Sequence, residues 1–186
     1  RRALALEPTD ARAHALLAVA IGNQKRPQAA IKEAQAAIGL EPDRAYYHYV
    51  LAWSRLNADQ AEPALKAAQE ALRLDHEDGD YHALLGSIYS RKKDWPNALR
   101  AAQDGLRVDP DHTGCINLQG LALANLGRHA EAERAIELAL ARDPDCTARL
   151  ELGNEFMLAE LGEVAREELE PADRAGFRLV SRRMPH

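Results

Sequence analysis

Three histidines whose ring nitrogens could bind a metal ion recur at a regular interval. His14, His48 and His82 are each 34 residues apart. If this interval reflects stacked helical units, equivalent side chains lie about 10 Å apart, one helix-packing distance. The donors of a zinc site must all lie about 2 Å from one ion. We therefore expect the three histidines to bind no shared metal, and the sequence predicts no cofactor.

Nucleophilic and acid–base chemistry has equally little support in the sequence. Cys115 and Cys146 do not have the spacing of a metal or redox motif, so we expect two unpaired thiols. The sequence contains no Ser-His-Asp, HExxH, P-loop or GxGxxG arrangement. Its paired carboxylates are expected on solvated helix faces. We therefore predict no catalytic residue, and we expect that the chain is not an enzyme.

Side chains suited to binding are concentrated in residues 45–56. Tyr46, Tyr49, Trp53 and Leu56 fall at i, i+3, i+7 and i+10, which places them on one stripe of a helix. Exposed tyrosine and tryptophan are frequent anchors of protein interfaces. Two interpretations remain open. The stripe either contacts a ligand or packs against a neighbouring helix as part of the core.

A second candidate set is polar and follows the same interval. Asn23, Asn57 and Asn125 are separated by multiples of 34 residues, and Arg91 occupies the remaining slot. An asparagine amide can donate to and accept from a peptide backbone, and arginine can pair with a carboxylate. The alternative is that these residues are simply polar helix ends, where asparagine is a good terminator.

The elements that must position these residues repeat with a 34-residue period. Proline follows an acidic residue at four places in one register, which marks helix ends because proline lacks an N–H group: Pro8, Pro42, Pro110 and Pro144. Two series of small residues keep the same register and indicate close helix packing: Ala18, Ala52, Gly86 and Gly120, and Ala30, Ala64, Ala98 and Ala132. Each unit reads as a helix, a short polar turn and a second helix, and three second helices open near Pro27, Pro63 and Pro96.

These patterns resemble the tetratricopeptide repeat family. The best match to its signature is His82-x2-Leu85-Gly86-x2-Tyr89, followed by Ala98, Ala102, Gly105 and Pro110. The resemblance implies an all-α fold, a right-handed α-solenoid of antiparallel helix pairs with a 34-residue period. The family's aromatic residue in the second helix is replaced by Ala34, Ala68, Ala102 and Ile136, which implies either closer helix packing or compensation elsewhere, and a superhelix curvature that differs from the family's.

The resemblance also predicts where the units begin and end. Four full units span 11–44, 45–78, 79–112 and 113–146. Residues 1–10 are expected to end a preceding helix, and 147–186 to form a degenerate fifth unit and a C-terminal capping helix. Because the chain begins at Arg1 inside a helical pattern, we expect it to be a piece of a longer protein.

In the family, first helices line a concave groove, so the resemblance implies that the aromatic stripe and the polar set face a bound peptide. The three histidines would fill a slot that the family often gives to tryptophan, and Tyr47 is not expected to face the groove. One subclass clamps the C-terminal carboxylate of chaperone peptides with concave lysines. None of the lysines here falls on the inner stripe, which argues against that ligand: Lys25, Lys32, Lys66, Lys92 and Lys93.

Composition limits the remaining possibilities. A net charge of −5 argues against nucleic acid, which requires clustered lysine and arginine. No apolar run approaches the roughly 20 residues of a membrane span, and the location, cytoplasmic or periplasmic, stays open. Abundant alanine and arginine suggest a bacterial source. We expect a scaffold that binds another protein or a peptide. The alternatives are a module that self-associates through the ends of the stack and a regulatory domain of a larger protein.

Overall fold

The computed structural model describes residues 10–142, and within this range the chain forms eight α-helices and no β-strand. The expectation of an all-α fold is confirmed. The regions expected to hold the preceding helix, the fifth unit and the cap lie outside the described residues. The helices, in chain order, are α1 (Ala11–Gly22), α2 (Pro27–Leu40), α3 (Ala45–Asn57), α4 (Ala61–Leu74), α5 (Gly79–Arg91), α6 (Trp95–Val108), α7 (Thr113–Asn125) and α8 (His129–Arg142).

The helices pack as antiparallel pairs, α1 with α2, α3 with α4, α5 with α6 and α7 with α8. We call α1, α3, α5 and α7 the first helices and the others the second helices. The first helices begin at Ala11, Ala45, Gly79 and Thr113, each 34 residues after the one before. The helices of each pair are joined by short connections, which allow only antiparallel neighbours. The 34-residue sequence period therefore corresponds to a stack of helix pairs, a helical solenoid.

The first helices form a continuous layer, because neighbouring first helices contact one another directly along the stack. The second helices pack on first helices and meet one another at isolated points at most. The spacing between helices is therefore shorter on the first-helix side. A stack with unequal spacing curves toward the closer layer, so the first helices line the concave surface, which we call the inner face.

Small side chains set the distance between the helices of each pair. The alanines of the two expected series are all fully buried: Ala18, Ala30, Ala52, Ala64, Ala98 and Ala132. A Cβ atom added to Gly86 of α5 would lie 3.3 Å from the Ala98 carbonyl oxygen of its partner α6 and 2.0 Å from Leu118 Cδ2 of α7, so a larger residue would require a neighbour to move. The positions where the family carries an aromatic residue are also closed, since Ala34 and Ala102 have no exposed surface. The small residues at these positions are therefore covered by neighbouring helices.

Every first helix ends in the same turn. Lys25, Asp59, Lys93 and Gly127 have φ values of 57°, 57°, 58° and 74°, in the left-handed region. The next residue donates its backbone N–H five residues back, as in Arg128 to the Leu123 carbonyl at 2.9 Å. This is the Schellman arrangement, which satisfies the last carbonyl groups of a helix. A side chain in this conformation is strained by roughly 1 kcal/mol, and glycine is not.

The periodic histidines hold local structure. His48 Nε2 lies 2.7 Å from the Pro42 carbonyl oxygen, and His82 Nε2 lies 3.1 Å from that of His76. Because a carbonyl oxygen only accepts, each Nε2 must carry the proton. His14 Nδ1 lies 2.7 Å from Glu33 Oε2. Each histidine thus has its own partner, and residues 10–142 contain no His, Cys, Asp and Glu cluster that could hold a metal ion.

Candidate peptide-binding surface

The tyrosines of α3 begin a connected group of aromatic rings on the inner face. Tyr46 stacks on Tyr49 with ring centroids 6.1 Å apart and planes inclined by 25°. Tyr49 in turn lies against Tyr81 of α5, with centroids 5.2 Å apart. Tyr47 meets the edge of Tyr46 at 6.1 Å. We call these four residues the tyrosine cluster. It holds four of the five tyrosines in the chain and links two neighbouring first helices.

Exposure differs sharply within the tyrosine cluster. Tyr46 keeps 41% of its surface exposed, Tyr49 is half-buried, and Tyr47 and Tyr81 are buried. The Tyr47 hydroxyl donates to Glu41 Oε2 at 3.4 Å, away from the inner face. The stripe therefore presents the exposed ring of Tyr46, which is stacked on the half-buried ring of Tyr49.

Trp53 is held between two first helices. A Cβ atom added to Gly22 of α1 would lie 2.3 Å from Trp53 Cζ3 and 2.6 Å from Cη2, so the indole rests directly on that glycine. The ring is only partly buried, and it also packs against the main core cluster. Trp53 thus joins α3 to α1 while one part of its surface stays accessible.

Leu56 does not share the exposure expected for the stripe. Its side chain is only 7% exposed and belongs to the same buried cluster as Leu84 and Ile88 of α5. The stripe reaches the contact between α3 and α5 one residue before α3 ends, and an aliphatic side chain fills that contact. The structure therefore gives Leu56 a packing position, and Leu56 is not among the ligand contacts proposed below.

The polar candidates lie at the opposite edge of the inner face. Asn23, Asn57, Arg91 and Asn125 are all exposed at or beside the C-terminal ends of first helices. The Arg91 guanidinium lies 2.9 Å from Asp59 Oδ1, and Asn125 Nδ2 donates to the Leu121 carbonyl at 2.9 Å. Eleven residues separate Tyr46 from Asn57, a distance of about 16 Å along a helix. The structure thus separates the polar set from Tyr46, whereas Trp53 lies about one helical turn from Asn57.

A depression of about 460 Å³ opens on the inner face next to the tyrosine cluster. We call it the inner depression. It spans three first helices and is lined by Tyr49, Asp80, Ala83, Leu84, Ser87, His112, Thr113, Gly114 and Asn117.

Most of these lining residues were not predicted from the sequence, although the repeat register contained the signal. Asp80 and Gly114 occupy the place of Tyr46 one and two periods later, and Ala83 and Asn117 occupy that of Tyr49. Projecting the stripe onto the following first helices would therefore have identified them.

His112 fixes the wall of the inner depression between α5 and α7. Its Nδ1 accepts from the Cys115 backbone N–H at 3.2 Å and caps α7, and its Nε2 lies 3.1 Å from Asp80 Oδ1. Accepting at Nδ1 leaves the proton on Nε2, so the imidazole is neutral and donates to Asp80. One ring therefore satisfies a helix N-terminus and orients a carboxylate.

Burial and nearby carboxylates shape the electrostatics around the tyrosine cluster. Burial, followed by Asp80, Tyr46 and Asp78, raises the pKa of Tyr49. Burial, followed by Asp78, Asp75 and the neighbouring tyrosines, raises the pKa of Tyr81 to about 12. Each carboxylate disfavours a second negative charge on a phenol oxygen. This edge of the inner face is therefore electronegative.

Among the helices of residues 10–142, none combines the length and the apolar character that a membrane span requires.

Comparison with known proteins agrees with this geometry. The tetratricopeptide repeat profile matches residues 114–146. No curated protein sequence matches the chain. TTC0263, a thermophilic TPR protein of Thermus thermophilus, superposes with a TM-score of 0.69 at 21% identity, over 88% of this chain and 94% of that one.

Two further solved structures share the fold. MamA gives a TM-score of 0.68 at 21% identity, over 79% of this chain and 86% of its own. YrrB, described as a TPR protein with an unusual peptide-binding site, gives 0.62 at 22% identity, over 77% and 74%. The repeat profile over residues 114–146, the 34-residue helix pairs and these structures agree, and the chain has the tetratricopeptide-repeat fold.

Proposed function

We propose that the chain is a non-catalytic scaffold that binds a peptide or a segment of a partner protein along its inner face. The observation that carries the proposal is the position of Tyr46. This ring is 41% exposed, is stacked on Tyr49, and stands beside the inner depression that Tyr49 lines. A large ring that is already ordered loses little entropy on binding, and covering it removes apolar surface from water.

The distribution of aromatic residues supports this assignment. Aromatic side chains make up only 5% of the chain, and the buried core is built mainly from alanine and aliphatic residues. The exposed tyrosine is therefore not required to fill the interior. An aromatic anchor beside a depression with a polar rim is the usual anatomy of an interface hot spot.

The proposed contacts divide along the first helices. Tyr46 and Tyr49 serve as apolar anchors, and Trp53 forms the neighbouring wall on its Gly22 support. A ligand that extends to the opposite edge contacts the polar candidates, which are Asn23, Asn57, Arg91 and Asn125. The peptide-binding site described for YrrB, a protein of the same fold, is consistent with this use of the scaffold.

The test compares two surface side chains of similar exposure. Tyr46 on α3 is 41% exposed and Leu40 at the end of α2 is 42% exposed. Immobilised wild-type chain captures partners from a cell lysate, mass spectrometry identifies them, and titration gives affinities for Tyr46→Ala and Leu40→Ala. Because hot-spot truncations remove more than about 1 kcal/mol, we expect Tyr46→Ala to weaken binding about tenfold or more and Leu40→Ala to leave it unchanged.

Either of two results would contradict the proposal. Equal loss in both variants, or no loss in Tyr46→Ala while circular dichroism shows an intact fold, would remove the inner face as the binding site. A chain that captures only copies of itself, with sedimentation that depends on concentration, would instead favour self-association.

A further inference from the structure

We propose that the inner depression selects a cationic side chain, lysine or arginine, of the bound partner. This inference rests on the proposed function and specifies the chemistry of the ligand. The depression has one acidic side chain in its lining, Asp80, and one aromatic wall, Tyr49. A carboxylate beside an aromatic face is complementary to a cation on a flexible aliphatic stem.

The negative charge of Asp80 is available to a ligand. Its side chain remains 69% exposed, and among the described residues its ion-pairing contact is with His112 rather than with a lysine or arginine. Because His112 accepts a hydrogen bond at Nδ1, the ring that holds Asp80 is neutral. The hydrogen bond therefore orients the carboxylate without cancelling its charge.

The tyrosine rings add a second attraction for a cation. Tyr46 is 41% exposed and stacks on Tyr49, so the accessible part of an electron-rich ring stands at the rim, where it attracts a positive charge within about 6 Å. Asp78, which caps α5, adds negative charge close to Tyr49. An ammonium or guanidinium group between Asp80 and the rings would be favoured by both.

The residues that line the inner depression include no lysine or arginine that could pair with an anionic ligand. The Arg91 guanidinium on α5 is paired with Asp59. It lies eleven residues beyond Asp80, about 16 Å along the helix. Arg12 of α1 occupies the repeat position equivalent to that of Tyr46. Helix α1 lies on the opposite side of α3 from the depression. A partner carboxylate placed in the depression would face Asp80 directly, and like charges brought together disfavour binding.

The test uses an array of short, acetylated and amidated peptides of random sequence, probed with the whole chain. The blocked ends remove terminal charges, so only side chains report on selectivity. We expect bound peptides to be enriched in lysine and arginine relative to the array. Asp80→Asn should abolish the enrichment. The matched control Asp104→Asn, on the second helix α6 where Asp104 pairs with Arg107, should retain it.

A resynthesised peptide from the array then tests the contact itself. Replacing its basic residue with glutamine, or Asp80 with asparagine, should each weaken binding about threefold to tenfold, as expected for one partly exposed ion pair. Combining the two changes should weaken binding no further, because the second change removes a partner that is already absent.

The aromatic wall is tested by two substitutions at Tyr49. Tyr49→Phe keeps the ring face and should leave affinity within about twofold. Tyr49→Leu keeps apolar bulk and removes the ring, so affinity for the basic peptide should fall about twofold to fivefold. Equal effects of the two substitutions would overturn the aromatic part of the proposal.

The outcomes separate this inference from the proposed function. Peptides that bind through Tyr46 with no basic enrichment, or with enrichment that survives Asp80→Asn, overturn cation selection and leave the scaffold in place. Enrichment in aspartate or glutamate likewise overturns it. An array in which the chain binds no peptide contradicts both proposals.

Discussion

Helices α1 and α3 occupy equivalent places in successive repeats, yet they present different surfaces to the inner face. Their buried positions are the same, since Ala18 and Ala52 are both fully covered. Their other positions differ, because the exposed Arg12 of α1 corresponds to the exposed Tyr46 of α3, and Gly22 corresponds to the buried Leu56. The repeat thus holds the backbone with one set of small residues and leaves a second set free to determine what the surface binds.

The two helices also fit each other because of this difference. The indole of Trp53 lies where Gly22 has no side chain. A bulky residue on α3 is accommodated by the smallest residue on α1, so the contrast between the two surfaces is part of their packing. Substitutions at buried positions should therefore affect stability, and substitutions at inner-face positions should affect contacts between repeats or with a ligand.

The largest expected effect comes from enlarging a buried small residue. Ala52→Leu on α3 places a bulky side chain where Ala52 has no exposed surface. Overpacking of this kind should lower the free energy of unfolding by about 3 kcal/mol. Ala20→Leu, at an exposed position of α1, should change it by less than about 0.5 kcal/mol. Urea denaturation monitored by circular dichroism measures both, and equal effects would show that the small-residue series does not set the packing.

The contact between Gly22 and Trp53 should show a smaller effect whose sign reverses. Gly22→Ala in the wild type drives a methyl group into the indole and should destabilise the fold by about 1–2 kcal/mol. In a Trp53→Leu background the clash is absent, and the same change should stabilise by up to about 0.5–1 kcal/mol, because alanine favours helix over glycine. Chemical denaturation of the four chains gives the coupling energy. Additive effects would mean that the indole does not rest on Gly22.

The smallest effect concerns the turns, where all four pairs adopt the same backbone with different residues. Lys93 and Gly127 both have positive φ. Lys93→Gly should raise the free energy of unfolding by about 0.5–1 kcal/mol, and Gly127→Ala should lower it by about 1 kcal/mol, because only glycine adopts this conformation without strain. Thermal unfolding provides the comparison. A destabilising Lys93→Gly or a stabilising Gly127→Ala would contradict the shared turn geometry.

The helical solenoid could be predicted because its signal is repeated. A series of small residues at 34-residue intervals is hard to reconcile with a fold that does not repeat, and the same register located the helices that carry the candidate residues. The positive φ at Lys25, Asp59 and Lys93 could not be predicted by residue type, since lysine and aspartate rarely mark such a turn. Only Gly127 carries the usual signal.

The candidate surface was predictable in part. The helical stripe placed Tyr46 and Tyr49 together, but periodicity alone cannot distinguish an exposed position from one covered by the next helix, and Leu56 is covered. The repeat register places Asp80 on the inner face, but the contact of Asp80 with His112 could not be predicted, because the two residues are 32 residues apart and do not share a register position. Their hydrogen bond exists only once α5 and α7 are stacked.

Binding at the inner face is tested most directly by the hydrogen-exchange footprint of the chain with and without its captured partner or an array-selected peptide. When the ligand is bound, we expect slower amide exchange in first helices α3 and α5, residues 45–57 and 79–91. We expect little change in second helices α4 and α6, residues 61–74 and 95–108. Protection concentrated on the second helices, or spread equally over both layers, would contradict binding at the inner face.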